Sequence, residues 1–208
     1  MTRLLDVRRL GRCDYEATAC LQEDLVARRR AGEISDTLLL LEHDPVVTLG
    51  RTSQERAVHG HNQLPVVETP RGGQATYHGP GQLVAYPILD LRDHRRDLHW
   101  YLRSLEQVVI TALAEFRLEA RNIEGFTGVW IGERKVCSIG VAVRGWVTYH
   151  GLALNVDCDM SGFSMISPCG LTAEDMGRIV DYVPGATVSD VLPVVEQAFR
   201  RNFGYGIV

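Results

Sequence analysis

Of the 22 basic residues in this chain only Lys135 is a lysine; the others are arginine. The distinction is chemical. Arginine keeps its proton at any ordinary pH, whereas a desolvated lysine can lose it and act as a base. Lys135 opens the apolar run KVCSIGVAV, where it reads either as a general base or as a solvated turn residue. Cys169 lies in SPCGLTAED. Pro168 stiffens the approach, Gly170 leaves room beside the sulfur, and Thr172 to Asp175 form a capping box for a short helix just beyond. Backbone N–H groups near a helix start favour a thiolate or an oxyanion, so Cys169 is a candidate nucleophile; the alternative is a small buried hydrophobe. His78 and His150 each stand between a tyrosine and a glycine. Either could pair with Cys169 as in a cysteine hydrolase, or form a hydrogen-bonded pocket wall.

The segment RGGQATYHGPGQ, residues 71 to 82, is rich in glycine, which lets main-chain N–H groups approach a ligand and permits positive φ. It is no phosphate loop: GxxxxGK[ST] is absent, Gln82 follows the glycines, and no GxGxxG opens a helix after a strand. A substrate-lining loop and a tight turn around a buried histidine both fit.

The other thiols, Cys13, Cys20, Cys137 and Cys158, read as small buried hydrophobes, and His43, His59, His61, His94 and His99 as surface or loop residues. Five cysteines without CxxC spacing argue against a disulfide framework or a zinc site, and no metal is expected. The net charge of −4 offers no basic excess for nucleic acid. No run approaches the roughly 18 apolar residues that span a bilayer, and the N-terminus has no apolar signal core, so a cytoplasmic protein off the membrane is expected.

These residues need a frame. The pattern predicts a helix over 14–31 with Asp14 as N-cap, β-runs at 37–42, 46–50, 65–68 and 83–89, and a helix over 98–116 burying one face. Pro87 argues for an edge strand or a bulge. A hairpin over 128–143 turns at or near Gly132-Glu133-Arg134, a strand covers 146–156, and a last helix covers 189–202. Strands in runs flanked by helices indicate an α+β fold with a largely antiparallel sheet, in one domain over 1–208.

Taken together, the blocks resemble the lipoyl(octanoyl)transferase family: Arg71-Gly72-Gly73-Gln74-Ala75-Thr76-Tyr77-His78-Gly79-Pro80-Gly81-Gln82, Lys135 to Gly140, Thr148 to Asn155, and Pro168-Cys169-Gly170, in that order, with HDPVVTLGR at 43–51 as a first block. The likeness covers roughly residues 37–185, and Cys137 departs from it by standing where a small residue such as alanine is usual. The resemblance implies a biotin/lipoate protein ligase-like catalytic domain: a larger, mostly antiparallel mixed sheet with flanking helices, and a small second sheet. It implies transfer of an octanoyl (or lipoyl) group from acyl carrier protein to a lysine of the lipoyl domains of 2-oxoacid dehydrogenase E2 subunits, or of the glycine-cleavage H protein. Cys169 would carry the acyl thioester and Lys135 would lower the thiol pKa and act as general acid/base. Residues 71–78, Ser138, Ile139 and Gly140, and Gly151, Leu152 and Ala153 would line the acyl pocket, with His150 and Gly79 in support.

No cofactor is expected, since the acyl group arrives on the carrier's phosphopantetheine and one thioester exchanges for another. The glycines would let the main chain lie flat against the alkyl chain. Arg92, Arg95 and Arg96 are candidates for a basic patch facing acidic partners, or are a solvated loop. The competing readings are an ATP-dependent lipoate or biotin ligase of the same fold, a non-catalytic carrier-protein binder, and a cysteine hydrolase using His150.

Overall fold

A computed structural model describes residues 3–53, 58, 64–166 and 171–206. Its larger sheet has seven strands: β1 (Leu5–Cys13), β2 (Asp36–His43), β6 (Gln82–Ile88), β10 (Val147–Asn155), β9 (Arg134–Arg144), β8 (Gly128–Ile131) and β7 (Ala120–Arg121), in that spatial order. Only β1 and β2 run parallel; the other pairs are antiparallel. A second sheet joins β4 (Val66–Glu68), β3 (Val46–Leu49) and β5 (Thr76–His78). The expected mixed, mostly antiparallel sheet with a small second sheet is what forms.

Strand alternation sends apolar residues to both faces of the larger sheet. Leu38, Leu40, Leu83 and Leu154 pack with α2 (Leu98–Glu115) and α3 (Val188–Phe203) on one side. Leu39, Leu41, Val84 and Tyr86 pack with Leu25 and Val26 of α1 (Tyr15–Arg30) on the other. Asp14 caps α1 as its position suggested, accepting from the Ala17 amide at 2.8 Å.

Several expectations are corrected. β1 was not anticipated, because LDVRRLGRC alternates too little and the strand sits half-exposed at the sheet edge. Pro87 is not on an edge strand: β6 lies between β2 and β10. The β6–β10 ladder stops at Ala85, and the Thr148 hydroxyl bridges the gap by donating to the Pro87 carbonyl (2.7 Å) and accepting from the Leu89 amide (3.0 Å). The capping box at Thr172 and Asp175 is present, yet it opens only a 3-10 turn, Ala173–Asp175. A single turn whose N-cap amide is already taken by Asp175 adds little field for an anion. Cys20 is exposed and Cys13 half-buried, whereas Cys137 and Cys158 are buried as expected. His59 and His61 lie outside the described residues, and His99 is exposed.

His94 is not a surface residue. Its ring is held at the Asp36 carboxylate (3.0 Å), where the Tyr205 hydroxyl (2.8 Å), Arg29 (2.8 Å) and the Asp90 amide (3.0 Å) also converge. One carboxylate thus ties the end of α1, the loop after β6 and the segment after α3 to the start of β2. Burial would raise the Asp36 pKa, but the bonds from His94, Arg29, the Asp90 backbone and Tyr205 override it and hold it at about 2.

A group held below its unfolded value stabilises the fold above that value, and the effect is lost as pH falls through the folded one. Asp36→Asn is therefore expected to cost about 2 kcal/mol at neutral pH, and the deficit should shrink toward zero as pH falls from about 4 to 2. Urea melts across that range check it; a deficit independent of pH would contradict it.

Candidate active site

A cleft of about 370 Å³ opens between β9, β10 and the 71–76 loop. Its position follows from local chain chemistry. The Gly72 amide donates to the Val141 carbonyl (2.9 Å), laying the loop across β9. A Cβ on Gly140 would come within 2.9 Å of the Gly72 carbonyl, so only a glycine in the strand admits this approach.

Arg71 to Thr76 and His78 line the cleft, as do Lys135, Ser138 to Gly140, and His150 to Ala153. Tyr77 does not: strand alternation in β5 turns it away, and its ring packs edge-on against Phe163 at 5.5 Å. Gly79 does not line it either, but lies over that ring, where a Cβ would meet the Tyr77 hydroxyl at 2.2 Å. Gly81 likewise makes room for the Cys158 backbone. Of the glycines in this segment, then, only Gly72 and Gly73 border the cleft; the others serve packing within the protein. Cys169 lies outside the described residues.

Lys135 is buried, 5% exposed, and is no solvated turn residue. It follows the two-residue hairpin turn at Gly132-Glu133, and a bulge in the β8–β9 pairing falls directly after it: Trp130 faces Lys135 while Val129 faces Cys137. An extra residue at that point re-aims the neighbouring side chain. The ammonium lies 5.2 Å from the centre of the Trp130 ring, a cation–π distance. Gly128 packs beneath it with φ 139°, and a Cβ there would sit 2.6 Å from Lys135 Cε. Glu106, fully buried on α2, accepts from the Gly128 amide (3.1 Å), Arg103 (2.6 Å) and Asn122 (3.1 Å). Sequence reading passed over Glu106, although a carboxylate inside the apolar stripe of that helix was a visible signal.

A chain of uncharged side chains supports the opposite wall. His78 Nδ1 donates to Gln82 Oε1 (2.7 Å), Gln82 Nε2 donates to Asn155 Oδ1 (2.8 Å), and Asn155 Nδ2 donates to the Gly177 carbonyl (2.9 Å). The Gly177 amide in turn donates to the Lys135 carbonyl (2.9 Å). At the other end the Thr48 hydroxyl faces His78 Nε2 (3.4 Å) and accepts from Arg71 Nη2 (2.8 Å).

His43, expected on the surface, is fully buried behind this wall. Its Nδ1 donates to the Cys13 carbonyl (3.1 Å) and its Nε2 accepts from the Tyr86 hydroxyl (2.8 Å). Tyr15 stacks on His78 at 6.0 Å, and both Tyr15 and Tyr86 line the cleft. Neither tyrosine was anticipated, nor were Leu102, Val141 and residues 125–127, because their own segments carry no motif.

Burial governs the titration of this region. It drives His78 well below the ordinary histidine range, with His43 adding repulsion, and pushes His150 down to about 4, aided by Arg71 and His43. Burial raises the Cys137 and Cys158 thiols to about 12, which makes them poor nucleophiles, and Cys137 is not among the residues lining the cleft. Among the described residues no group of His, Cys, Asp and Glu is arranged to hold a metal.

Residues 14–200 match the model of the lipoyl protein ligase A/B catalytic domain. The chain belongs to that family. A curated protein of Gloeobacter violaceus named Octanoyltransferase is 51% identical over 185 residues, covering 88% of this chain and 83% of its own length. A protein of the same name from Solibacter usitatus is 47% identical, covering 95% and 90%. Among solved structures, lipoate-protein ligase A bound with ATP superposes with a TM-score of 0.78 at 19% identity, covering all of this chain and 88% of the other. The Aquifex aeolicus biotin protein ligase follows at 0.57 and 16%, covering 95% and 70%. These structures show the shared fold of the ligase family; the octanoyltransferases are the nearer kin in sequence.

Because the histidine pKa values are depressed in the folded state, the unfolded chain takes up protons first on acidification. Stability is expected to fall below pH 6.5, with His150 alone contributing about 3 kcal/mol by the time its folded value of about 4 is reached. Imidazole ¹⁵N resonances of His78 and His150 should keep neutral positions from about pH 8 down to about 5. Titration of either ring above pH 6 would contradict the assignment.

Proposed function

We infer that this protein is an octanoyltransferase of protein lipoylation, moving an octanoyl group onto a lysine of a lipoyl domain. The observation that carries the reading is a sole, buried lysine at the wall of the cleft, in a chain about half identical to proteins named Octanoyltransferase. The acyl donor in this reading is octanoyl-acyl carrier protein, and the acceptors are lipoyl domains of 2-oxoacid dehydrogenase E2 subunits and the glycine-cleavage H protein. A solved archaeal lipoate protein ligase is described together with its E2 lipoyl domain, which favours such an acceptor for the family. The setting is cytoplasmic; no helix among the described residues is long and apolar enough to cross a membrane.

Catalysis proceeds in two exchanges. The Cys169 thiolate attacks the carbonyl carbon of the donor thioester, and the C–S bond to phosphopantetheine breaks, releasing that thiol after it takes up a proton. The acceptor lysine, as free amine, then attacks the Cys169 thioester; the new C–N bond forms as the C–S bond breaks and the thiolate returns. Protonated Lys135 favours the thiolate, and Lys135 in its neutral form accepts the proton that the acceptor ammonium must lose. Thioester exchange is close to neutral and the final amide is far more stable, so neither ATP nor another cofactor is needed. Splitting the transfer is the ordinary gain of covalent catalysis. Of the basic patch proposed for the carrier, Arg92 is paired to Asp90 and Arg95 to Asp97, while Arg96 is exposed. Those pairings favour a loop that is internally neutralised.

Mixing the protein with octanoyl-loaded carrier protein is expected to add one octanoyl mass to the chain, mapped to the Cys169 peptide, and Cys169→Ser should abolish the thioester. A thioester persisting in that variant would overturn the nucleophile, and acylation that requires octanoate and ATP would favour the ligase reading. Lys135→Arg, which keeps the positive charge but not a group that can give up its proton, is expected to cut the transfer rate by about tenfold or more. Near-normal rates in single-turnover assays would count against Lys135 as the base.

A further inference from the structure

His150 is 4% exposed and lines the cleft, yet its Nε2 has no hydrogen-bond partner among the described residues. The Thr76 hydroxyl, on the same cleft, is also buried without one. A buried polar atom left unsatisfied is costly, and on the wall of a cleft a bound group can meet it. His150 is moreover held in a conformation that a non-glycine residue seldom adopts: its φ is 54°, and its amide is fastened to Gln22 of α1 at 2.7 Å. Backbone strain of this kind persists only where the surroundings enforce it. The nearby Tyr86 hydroxyl has its one proton committed to His43 and has none to donate to the imidazole.

The sheet register fixes where His150 stands. It faces Val141 on β9, while the end of the Lys135 side chain lies over Gly128, which pairs with Ser138; the two levels are three residues apart, about 10 Å of strand and comparable to an extended eight-carbon chain. Lys135 and His150 therefore mark opposite ends of one cleft. With the thioester at the Lys135 end, the tail of an acyl chain points toward His150.

We propose that the His150 end of the cleft receives a hydrogen-bonding group on the tail of the acyl chain, so that the enzyme transfers medium-length acyl chains bearing a terminal hydroxyl alongside plain octanoyl. This rests on the transferase reading and deepens it. A methyl terminus leaves the imidazole nitrogen unsatisfied. A hydroxyl can donate or accept, so it suits either neutral tautomer of His150. The transfer step is unchanged: the same C–S bond breaks, the same C–N bond forms, and the tail group takes no part.

The test loads acyl carrier protein with octanoyl or with 8-hydroxyoctanoyl and measures kcat/KM for transfer to a lipoyl domain by intact mass. For the wild-type protein the two values are expected to agree within roughly threefold, rather than differ by the ~100-fold that an apolar pocket shows against an added hydroxyl. His150→Leu should shift the ratio of the two by about tenfold toward octanoyl, whatever happens to either absolute rate. Since a leucine at positive φ can fail to fold, the wild-type protein is also titrated with 8-hydroxyoctanoate and with octanoate. The His150 Nε2 resonance should move with the first and not the second. Hundredfold discrimination against the hydroxylated chain, an unchanged ratio in the variant, or equal ¹⁵N shifts with both acids would overturn the proposal and leave a cleft end that holds water. Transfer of neither chain would instead overturn the transferase reading beneath it.

Discussion

The cleft depends on a hydrogen-bond relay in which every described link is uncharged until it reaches Arg71. From the Gly177 carbonyl through Asn155, Gln82, His78 and Thr48, each donor is matched to an acceptor, and the amide orientations leave only one consistent direction. In a low-dielectric interior such a chain is stiff when complete and costly when broken. It also sets the protonation of the site: Gln82 Oε1 can only accept, so His78 must carry its proton on Nδ1 and present Nε2 as an acceptor. Because the relay joins β3, β5, β6 and β10, the small sheet and the large one are held in register around the cavity between them.

Close packing supplies the second constraint. Gly140 under Gly72 and Gly128 under Lys135 are places where the backbone must come nearer than a Cβ permits. The first sets the gap between the loop and the sheet, and so the width of the cleft. The second sets the path of the only lysine side chain. Glu106 completes that path from the helix side by fixing the Gly128 amide. The Lys135 side chain is thus aimed by its surroundings and not by its own sequence neighbours.

Much of this was legible beforehand. The cap signal at Asp14 marked the helix over 14–31 and a 3.6-residue period the one over 98–116; these, the helix over 189–202 and most of the strands form within a few residues of where they were expected. The half-exposed edge strand β1 was not legible, since an edge strand need satisfy no strict alternation. His43 and His94 looked like loop residues and are buried, for a related reason. Each is kept by partners far away in the chain, Tyr86 for the one, Asp36 and Tyr205 for the other, and no local pattern announces them.

The sequence by itself determined the chemistry on offer: one lysine, a cysteine between proline and glycine, two histidines each between a tyrosine and a glycine, and ordered blocks resembling one family. Those are properties of residue type and near-neighbour spacing, which the linear chain carries whole. Only the tertiary structure decided which of them meet. It brought Lys135 and His150 to opposite ends of one cleft, turned Tyr77 and Gly79 away from it, and set Gly79 and Gly81 to packing within the protein while Gly72 and Gly73 border the cleft. The physical reason is that strand register, a bulge after Lys135 and the reach of distant hydrogen-bond partners fix where a side chain points, and each of these is a relation between segments that the sequence lists apart.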